Sequence, residues 1–353
     1  MTSEWSYLRS AVPTLDPLGL DDVFDLLPRL AGRSRVRWLL DVLQRVPSIA
    51  PRDADPAILH AMLRDTGMLL AALRGQGLEP IPHVPGLDQT LVEMGVKARH
   101  VPREAIFHYT AFNPPGGRRR RFSSNPQEDR LIDAVTVASD SIVLAIFALI
   151  EATRTSFASV DFLDACQAAE RELSRFLVAM IDVVRSVAPE FFAETLRPNW
   201  EPVRVADIPY DGPGPVQLPI FIVDRIIWAA NNADVGYASY VRHNMAYTLE
   251  EFRNFPNVSL PLTESYFRWS ASYSGTTVTR QRTLAVLASL MNFLVKFRRV
   301  HCAFAFRAYA VRRSREPGAV GSSGHGPEVL PSILKLTENA QRRLLIFDET
   351  MRS

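Results

Sequence analysis

Apolar residues recur with helical spacing along almost the whole chain, and this pattern constrains the fold more than any other feature. The clearest case follows Asp55-Pro56, an N-cap residue with proline at the first helical position. The apolar residues that then share one face are Ile58, Leu59, Met62, Leu63, Leu69, Leu70 and Leu73. Gly75 and Gly77 end the pattern, so the sequence predicts a helix with both ends marked.

The same signals predict further helices. They run from Asp16-Pro17 towards Leu30, from Asn125-Pro126 towards Thr153, from Asp161 to Ala188, from about Val278 to Arg313, and from Pro331 to about Phe347. Glu128, three residues after Asn125, adds the pattern of a capping box. Since no segment alternates convincingly with the period of a strand, we predict an all-α fold, a helical bundle.

Two irregular stretches interrupt the helical pattern. Residues 197–219 contain six prolines, and residues 318–327 are rich in glycine and serine. Long loops inside compact domains are uncommon and tend to be functional. Neither stretch predicts a flexible linker between independent domains. We therefore expect a single domain over residues 1–353, with an N-terminal helical part (1–120) and a core (121–353) that includes both loops.

The charge balance of the chain argues against a nucleic-acid partner. Forty Lys and Arg residues face 38 Asp and Glu residues, for a formal net charge of +2, whereas nucleic-acid-binding faces normally need a marked basic excess. The run Arg118 to Arg121 is the one exception. Because it follows Pro114, Pro115, Gly116 and Gly117, we interpret it as a solvated loop, with a phosphate-binding patch as the weaker alternative.

Cysteine content and hydropathy predict a cytoplasmic protein with no membrane partner. Two cysteines, Cys166 and Cys302, are too few for a disulfide framework. Residues 1–17 have no apolar run of the signal-peptide type. The longest uninterrupted apolar run, Ile142 to Ile150, has nine residues, against the roughly 20 that cross a bilayer. We expect it to belong to a buried core helix.

The familiar catalytic motifs are absent from the sequence. It has no HExxH, no paired CxxC, no Walker A lysine and no GxGxxG after a strand, and GSSGHG does not match the GxSxG nucleophile elbow. His301 stands out instead, because Phe297 and Ala305 lie one turn away on either side in a strongly apolar helix. A neutral imidazole on such a face is a possible iron ligand, although a core histidine is the more ordinary interpretation.

Several long blocks of this sequence resemble one family of enzymes. The blocks are PREAIFHYTAFNP (102–114), RPNWEPVRV (197–205), YDGPG (210–214), LPIFIVDRIIW (218–228), FRRVHCAFAFRAY (297–309) and GSSGHGP (321–327). Their order and approximate spacing are similar to those of the monodechloroaminopyrrolnitrin synthase family, within the haem-dependent indoleamine and tryptophan 2,3-dioxygenase superfamily. The resemblance implies an all-helical bundle that encloses haem b.

The resemblance also implies roles for residues in the last third of the chain. His301 occupies the position of the family's proximal iron ligand, and Tyr309 matches a tyrosine that contacts the amino-acid substrate. Ser322 matches a loop serine beside the polar end of that substrate, and we expect Ser323 and His325 of the same loop to lie near it. Because haem propionates attract cations, Arg298 and Arg299 are expected partners for them.

The function implied is that of a haem-dependent oxygenase in bacterial secondary metabolism. It would act on tryptophan or on a related amino acid, halogenated or otherwise modified, with O2 or peroxide and an external reductant. His325 stands where the family has a tyrosine, and the segment between Tyr309 and Ser322 is slightly longer than in the family. A non-indole amino acid therefore remains an alternative substrate, and a non-catalytic helical protein that binds haem or another small molecule remains an alternative function.

Overall fold

The computed structural model describes residues 3–30, 32–49, 54–229, 232–253, 260–313 and 328–352. The α-helices are α1 Glu4–Ala11, α2 Asp21–Leu26, α3 Gly32–Leu43, α4 Val46–Ile49, α5 Pro56–Arg74, α6 Leu87–Lys97, α7 Ile106–Tyr109, α8 Pro126–Arg154, α9 Val160–Ser186, α10 Pro189–Phe191, α11 Ile220–Asp224, α12 Val235–Met245, α13 Glu250–Arg253, α14 Leu262–Ser272, α15 Thr277–Arg313 and α16 Val329–Arg352. The predicted all-α fold is confirmed.

Shorter elements connect these helices. Turns of 3-10 helix cover Val12–Thr14, Leu27–Arg29, Ile81–His83, Gly116–Arg118, Arg197–Trp200 and Pro215–Gln217, and π-helical turns cover Phe192–Leu196 and Arg225–Ala229. One antiparallel hairpin joins β1 Val203–Val205 to β2 Ile208–Tyr210, with Val203 opposite Tyr210 and Val205 opposite Ile208. Within the described residues these two short strands form the whole of the sheet structure.

Four long helices form the core that carries the site. The short connection 155–159 makes α8 and α9 adjacent antiparallel helices, α15 packs on α9, and α16 packs on α15. Each has an apolar stripe to bury, and the driving force is removal of that stripe from water. One hydrophobic cluster extends from Trp5 to Leu344, so the N-terminal helices and the long helices share a continuous interior.

Helix α5 confirms the clearest of the sequence predictions. The Asp55 Oδ1 atom accepts a hydrogen bond of 2.8 Å from the Ala57 amide, so the cap satisfies an otherwise unpaired N–H at the start of the helix. The helix ends at Arg74, before Gly75. Nearly all of its side chains are buried, which makes α5 the central element of the N-terminal part.

One predicted helix start and one predicted capping box need correction. The helix expected to begin at Asp16-Pro17 begins at Asp21, because the Asp16 carboxylate accepts from the Leu20 and Asp21 amides at 2.8 and 3.0 Å and so caps a later turn. The long helix does begin at Pro126, with Asn125 as its cap. Glu128 does not reach back to Asn125, however, since its carboxylate accepts from Phe122, Ser123 and Tyr109 instead.

The arginine run 118–121 is not the solvated loop that its sequence indicated. Arg120 is fully buried, forms ion pairs with Asp65 at 3.0 Å and Asp21 at 2.5 Å, and lies over the ring of Phe24. The other three arginines of the run pair with Asp21, Asp129 or Asp133. The acidic partners lie on α2, α5 and α8. These ion pairs therefore connect the N-terminal helices to α8.

Helix α8 is long and apolar enough to cross a membrane, by length and composition alone. In its most apolar window, however, 61% of the residues are buried inside the protein. Because α7, α9 and α11 pack against it, α8 is a core helix of the bundle, as the run Ile142 to Ile150 predicted.

Residues 197–219 pack against helices α5, α6 and α12. Arg103 fixes this connection, because its Nη1 donates to the carbonyl oxygens of Glu201 at 2.7 Å and Tyr210 at 2.8 Å. Gly212 packs so closely on Trp200 that a Cβ atom at position 212 would lie 2.7 Å from the Trp200 Cα. The segment predicted to be irregular therefore contains a short hairpin and two 3-10 turns, and the Arg103 side chain and the close approach of Gly212 hold it in place.

Candidate functional site

A mostly apolar cavity lies between α15 and the neighbouring elements α8, α9, α16 and the π-helical turn 192–196. The space inside the cavity, counted together with its opening to solvent, is about 1120 Å³. The lining residues are Leu131, Val135, Met180, Val183, Val184, Phe192, Ala193, Arg197, Pro215, Val216, Tyr240, Phe297, Val300, His301, Phe304, Ala305, Ala308, Tyr309, Arg312, Val329 and Leu330.

One face of α15 forms the longest wall of the cavity. Its lining residues fall at helical spacing: Phe297, Val300, His301, Phe304, Ala305, Ala308, Tyr309 and Arg312. Residues three and four apart share a helix face, which is why this stripe faces a single cavity. Small residues at 305 and 308 leave room along the wall. The stripe therefore presents an imidazole near one end and a phenol and a guanidinium near the other.

The His301 imidazole faces this cavity as a neutral ring. Burial, with a smaller contribution from the Arg298 charge, lowers its pKa to about 4. The ring stacks on Phe297, with centroids 5.6 Å apart and planes inclined by 21°. Among the described residues, no hydrogen bond to either of its ring nitrogens is observed. A neutral, oriented imidazole on a cavity wall has the donor atom that iron and other transition metals bind.

The opposite end of the cavity carries an ionic group. Arg312 Nη2 lies 2.7 Å and Arg197 Nη1 lies 3.3 Å from the same oxygen, Oε1 of Glu201. Arg197 is 5% exposed, and its burial, followed by the charge of Arg312, lowers its pKa despite the nearby carboxylate. Tyr309 lines the same end and contributes to the electrostatic environment of Arg197.

The two arginines expected to bind propionates lie away from the cavity lining. Arg298 is 5% exposed and donates a hydrogen bond to the fully buried Asp224 carboxylate, which also accepts from Trp228 Nε1 at 3.1 Å. Arg299 is exposed and pairs with Glu338 of α16 at 2.7 Å. One turn before His301, the helix therefore points these side chains at a buried carboxylate and at solvent, respectively.

The loop residues implied by the resemblance, Ser322, Ser323 and His325, lie outside the described residues. Tyr309 does line the cavity, on the same face of α15 as His301. The structure thus brings His301 and Tyr309 to one wall.

Three polar residues of the cavity had not been singled out in the sequence. Arg312 follows His301 by eleven residues, and its place on the stripe was recoverable from helical spacing alone. Arg197 and Tyr240 had no such signal, because the irregular connection 197–219 and the packing of α12 bring them to the cavity. Helical periodicity orders residues within one element and says nothing about which other elements meet it.

A second group of histidines lies outside this cavity. His60 Nδ1 is 3.0 Å from His108 Nε2, and the His100 ring contacts both of these rings. All three side chains are buried. Burial lowers the pKa of each. Within the part of the chain that the structure describes, no cluster of three His, Cys, Asp or Glu side chains suits a metal ion.

The chemistry of the cavity suits a flat apolar macrocycle with charged edges. Haem needs an apolar slot, a ligand for its iron and compensation for two propionates. Phe297, Phe304 and Met180 supply apolar surface, His301 supplies a neutral nitrogen, and two arginines lie at the far end. The residues present therefore fit the group.

Comparison with known proteins identifies the family. The family model for monodechloroaminopyrrolnitrin synthase PrnB matches residues 52–258, which is more than half of the chain. The matched region includes the cavity wall from α8 and α9, Arg197 and Tyr240, and it ends before α15. The assignment of His301 therefore depends on geometry and on the local resemblance, whereas family membership depends on the larger part of the fold. This chain belongs to the monodechloroaminopyrrolnitrin synthase family of haem-dependent oxygenases.

Proposed function

We propose that the protein binds haem b in this cavity, with His301 as the iron ligand, and oxidises an aromatic amino acid related to tryptophan. The observation that carries the proposal is the position of His301. Its imidazole is neutral, its ring nitrogens make no hydrogen bond among the described residues, and it lies on the wall of a mostly apolar cavity. The family supports the general kind of reaction, an oxygenase that uses O2. Haem b, the substrate class and the role of His301 are the specific parts of this proposal.

In this arrangement, side chains of the protein bind the haem and fix the orientation of its iron ligand. His301 holds the iron, and its stacking on Phe297 limits rotation of the imidazole. Phe304, Met180 and Val183 enclose apolar surface and exclude water from the cavity. When bound, the haem supplies the activation of O2 or peroxide and the transfer of oxygen, while the protein supplies position and a dry environment.

Tyr309 and the loop 318–327 are proposed to position the substrate. Tyr309 stands two turns beyond His301 on the same wall, and its phenol can donate to a carboxylate or accept from an ammonium group. Ser322, Ser323 and His325 complete the proposed contacts. An external reductant and a cytoplasmic location belong to the same proposal, and the location is supported by the free thiols of Cys166 and Cys302.

A titration with several amino acids tests whether the substrate is an indole or a non-indole amino acid. Purified protein, expressed with a haem precursor, is titrated with tryptophan, 7-chlorotryptophan, phenylalanine and arginine while its absorption spectrum is recorded. Binding beside the iron changes the spin state and moves the Soret band. We expect that shift for the indole amino acids. A shift confined to another amino acid would change the substrate class and leave the haem assignment intact.

Turnover is then measured with the amino acid that gives the spectral shift. With O2 or peroxide and a chemical reductant, mass spectrometry should detect an oxidised or rearranged product that is absent under anaerobic, peroxide-free conditions. Colourless protein that takes up no haem would contradict the proposal. Tight haem binding without oxygen-dependent turnover of any aromatic amino acid would contradict the catalytic part.

A further inference from the structure

We propose that His60 and His108 form an acid-sensitive hydrogen-bonded pair, which fixes the start of α7 and, through Gln217, the loop 212–217 beside the cavity. A proton taken up by either ring breaks a hydrogen bond on which this arrangement depends. Because neither histidine lines the cavity, the experiment that tests the pair needs no haem and no substrate, and its result is independent of the proposed function.

The hydrogen bonds of the pair fix where each ring carries its proton. The Ala105 amide donates to His108 Nδ1 at 3.0 Å, so this nitrogen is unprotonated. A neutral His108 then carries its proton on Nε2, which lies 3.0 Å from His60 Nδ1 and donates to it. His60 in turn carries its proton on Nε2. The Ala105 amide and the two rings are thus linked by hydrogen bonds that all run in one direction.

An added proton cannot enter this chain of hydrogen bonds without breaking one of them. On either ring the unprotonated nitrogen is Nδ1, and each Nδ1 already accepts a hydrogen bond. A proton on His108 Nδ1 faces the Ala105 amide, and a proton on His60 Nδ1 faces the Nε2–H group of His108. If the His108 proton moves to Nδ1 to relieve the second contact, the bond to Ala105 is lost instead. The closed arrangement also contains a buried donor, His60 Nε2, that has no hydrogen-bond partner among the described residues.

The charges around the pair oppose protonation. The titratable and charged groups on the neighbouring elements are Glu4 of α1, Arg64 and Asp65 of α5, Arg99, His100, Arg103 and Glu104 before α7, Tyr109 of α7, Tyr247 before α13, and Glu250, Glu251 and Arg253 of α13. The ion pairs among them are Arg64 with Asp65, Arg99 with Glu250, and Arg103 with Glu104. Burial, followed by the charges of His100 and Arg253, lowers the pKa of His60. Burial, followed by the charges of His100, His60 and Arg64, lowers the pKa of His108.

His100, the third histidine of the cluster, differs because a proton adds a hydrogen bond there. Its Nδ1 lies 3.0 Å from the Val101 carbonyl oxygen, and its Nε2 lies 3.3 Å from the Tyr247 carbonyl oxygen. A neutral imidazole donates to only one of these acceptors, whereas a protonated imidazole donates to both. Burial nevertheless lowers the pKa of His100 to about 4. The acid sensitivity is therefore assigned to His60 and His108.

Gln217 connects the pair to the cavity wall. Its Oε1 atom accepts from the Ile106 amide at 2.9 Å, directly after the Ala105 amide. Its Nε2 atom donates to the Gly212 carbonyl oxygen at 3.0 Å, and the two residues before it, 215–216, line the cavity. Loss of the hydrogen bond from Ala105 releases the first turn of α7 and so weakens the contact between Ile106 and Gln217.

The lowered pKa values determine the direction of the pH dependence. In the open form both rings have the ordinary histidine pKa of about 6.5, whereas in the closed form both stay neutral. The closed form therefore has its full stability above pH 6.5 and loses stability as the pH falls below that value. From pH 7.5 to pH 5, each of the two histidines raises the equilibrium constant for opening about 30-fold.

Hydrogen–deuterium exchange of the full chain at pH 7.5 and pH 5, corrected for the pH dependence of intrinsic exchange, measures this opening. It detects openings that are too rare to change the average structure. Peptides from 102–114 and 210–220 report on α7 and on the loop of Gln217, and peptides from α9 are the internal reference. A double variant, His60→Asn with His108→Asn, keeps an acceptor oxygen as many bonds from Cα as each Nδ1 and does not titrate. His83→Asn is the matched control, because His83 is exposed.

In the wild type and in His83→Asn, the equilibrium constant for opening of 102–114 and 210–220 should rise at least 30-fold between the two pH values, while α9 stays protected. In the double variant, that rise should be at least 30-fold smaller. Unchanged wild-type protection at pH 5, or an equal rise in the double variant, would overturn the inference. It is also wrong if the rise in 102–114 does not extend to 210–220, or if α9 opens to the same degree.

Both substituted positions are buried, so circular dichroism at pH 7.5 first establishes that the double variant folds. If it does not fold, His108→Asn alone takes its place with the same expected reduction, since it keeps an acceptor for the Ala105 amide. The wild-type comparison at two pH values needs no variant, and unchanged protection there contradicts the proposal by itself.

Discussion

Arg298 donates a hydrogen bond to the buried Asp224 carboxylate, one turn of α15 before His301. Trp228 Nε1 and the Tyr237 hydroxyl complete the carboxylate's partners at 3.1 and 3.3 Å. This ion pair ties α15 to α11 and α12 behind the cavity wall. It also explains why Arg298, despite its position beside the iron-ligand candidate in sequence, does not line the cavity.

Replacing Arg298 with methionine should strongly destabilise the protein. The substitution keeps an apolar stem and leaves Asp224 as a buried carboxylate without its cation, and breaking buried pairs in this way costs about 3–5 kcal/mol. Urea unfolding followed by circular dichroism measures the loss. Arg299→Gln removes an exposed ion pair on the same helix and should cost no more than about 1 kcal/mol. Equal losses for the two variants would show that the buried pair has no special role.

Haem affinity should be nearly independent of pH between 8 and 5. Only the neutral imidazole binds iron, and because burial lowers the pKa of His301 to about 4, protonation competes only as the pH falls towards that value. A histidine of ordinary pKa, about 6.5, would lose about 30-fold of its affinity at pH 5. Soret titrations at pH 8, 6.5 and 5 separate the two cases, and a midpoint near 6.5 would rule out a buried, neutral ligand.

The long helices were predictable because their signals are local. An Asp or Asn cap, a following proline and apolar residues at helical spacing marked α5 and α8 before any tertiary contact was known. Asp16 misled the prediction, because the same carboxylate can cap a turn that starts several residues later. The arginine run 118–121 was misjudged for a different reason. Its partners Asp21, Asp65, Asp129 and Asp133 come from three other segments.

The buried Arg120 should be essential for docking the N-terminal helices. Arg120→Met removes the cation from Asp65 and Asp21 and the contact with the Phe24 ring. We expect a loss of about 3–5 kcal/mol in the free energy of unfolding. Arg29→Gln, which removes an exposed i,i+4 pair with Asp25, is the control and should change stability by less than about 0.5 kcal/mol. Calorimetry compares the thermal unfolding of Arg120→Met and Arg29→Gln. An unchanged melting temperature for Arg120→Met would contradict the claim that Arg120 docks the N-terminal helices.

Gly212 should be intolerant of a side chain. In Gly212→Ala the new Cβ would approach the Trp200 backbone to 2.7 Å and the Arg103 guanidinium to 2.8 Å, so the segment that carries Arg197 and Glu201 must shift. Overpacking of this kind costs about 1–3 kcal/mol. Gly117→Ala, where nothing lies within 4 Å of the added atom, is the matched control. Stability and haem affinity should both fall in Gly212→Ala and stay unchanged in Gly117→Ala. Identical behaviour of the pair would mean that the connection 197–219 adapts freely.

The candidate site was only partly predictable, since it is assembled from several elements. His301 and Tyr309 belong to one helix, and local resemblance plus helical spacing was enough to place them on one wall. Arg197 comes from the irregular connection and Tyr240 from α12, and both reach the cavity through tertiary packing. Arg298 shows the converse, because its nearness in sequence to His301 suggested contact with a propionate, whereas its side chain pairs with Asp224 and does not line the cavity.

The most direct test of the account is the spectrum of haem-loaded His301→Gly with and without imidazole. If His301 is the iron ligand, the variant should lose the wild-type Soret band or bind haem much more weakly, and free imidazole should restore a histidine-ligated spectrum. An Arg299→Gln preparation, loaded in the same way, should match the wild type throughout. A His301→Gly protein that keeps the wild-type haem spectrum and affinity without imidazole would contradict the central claim.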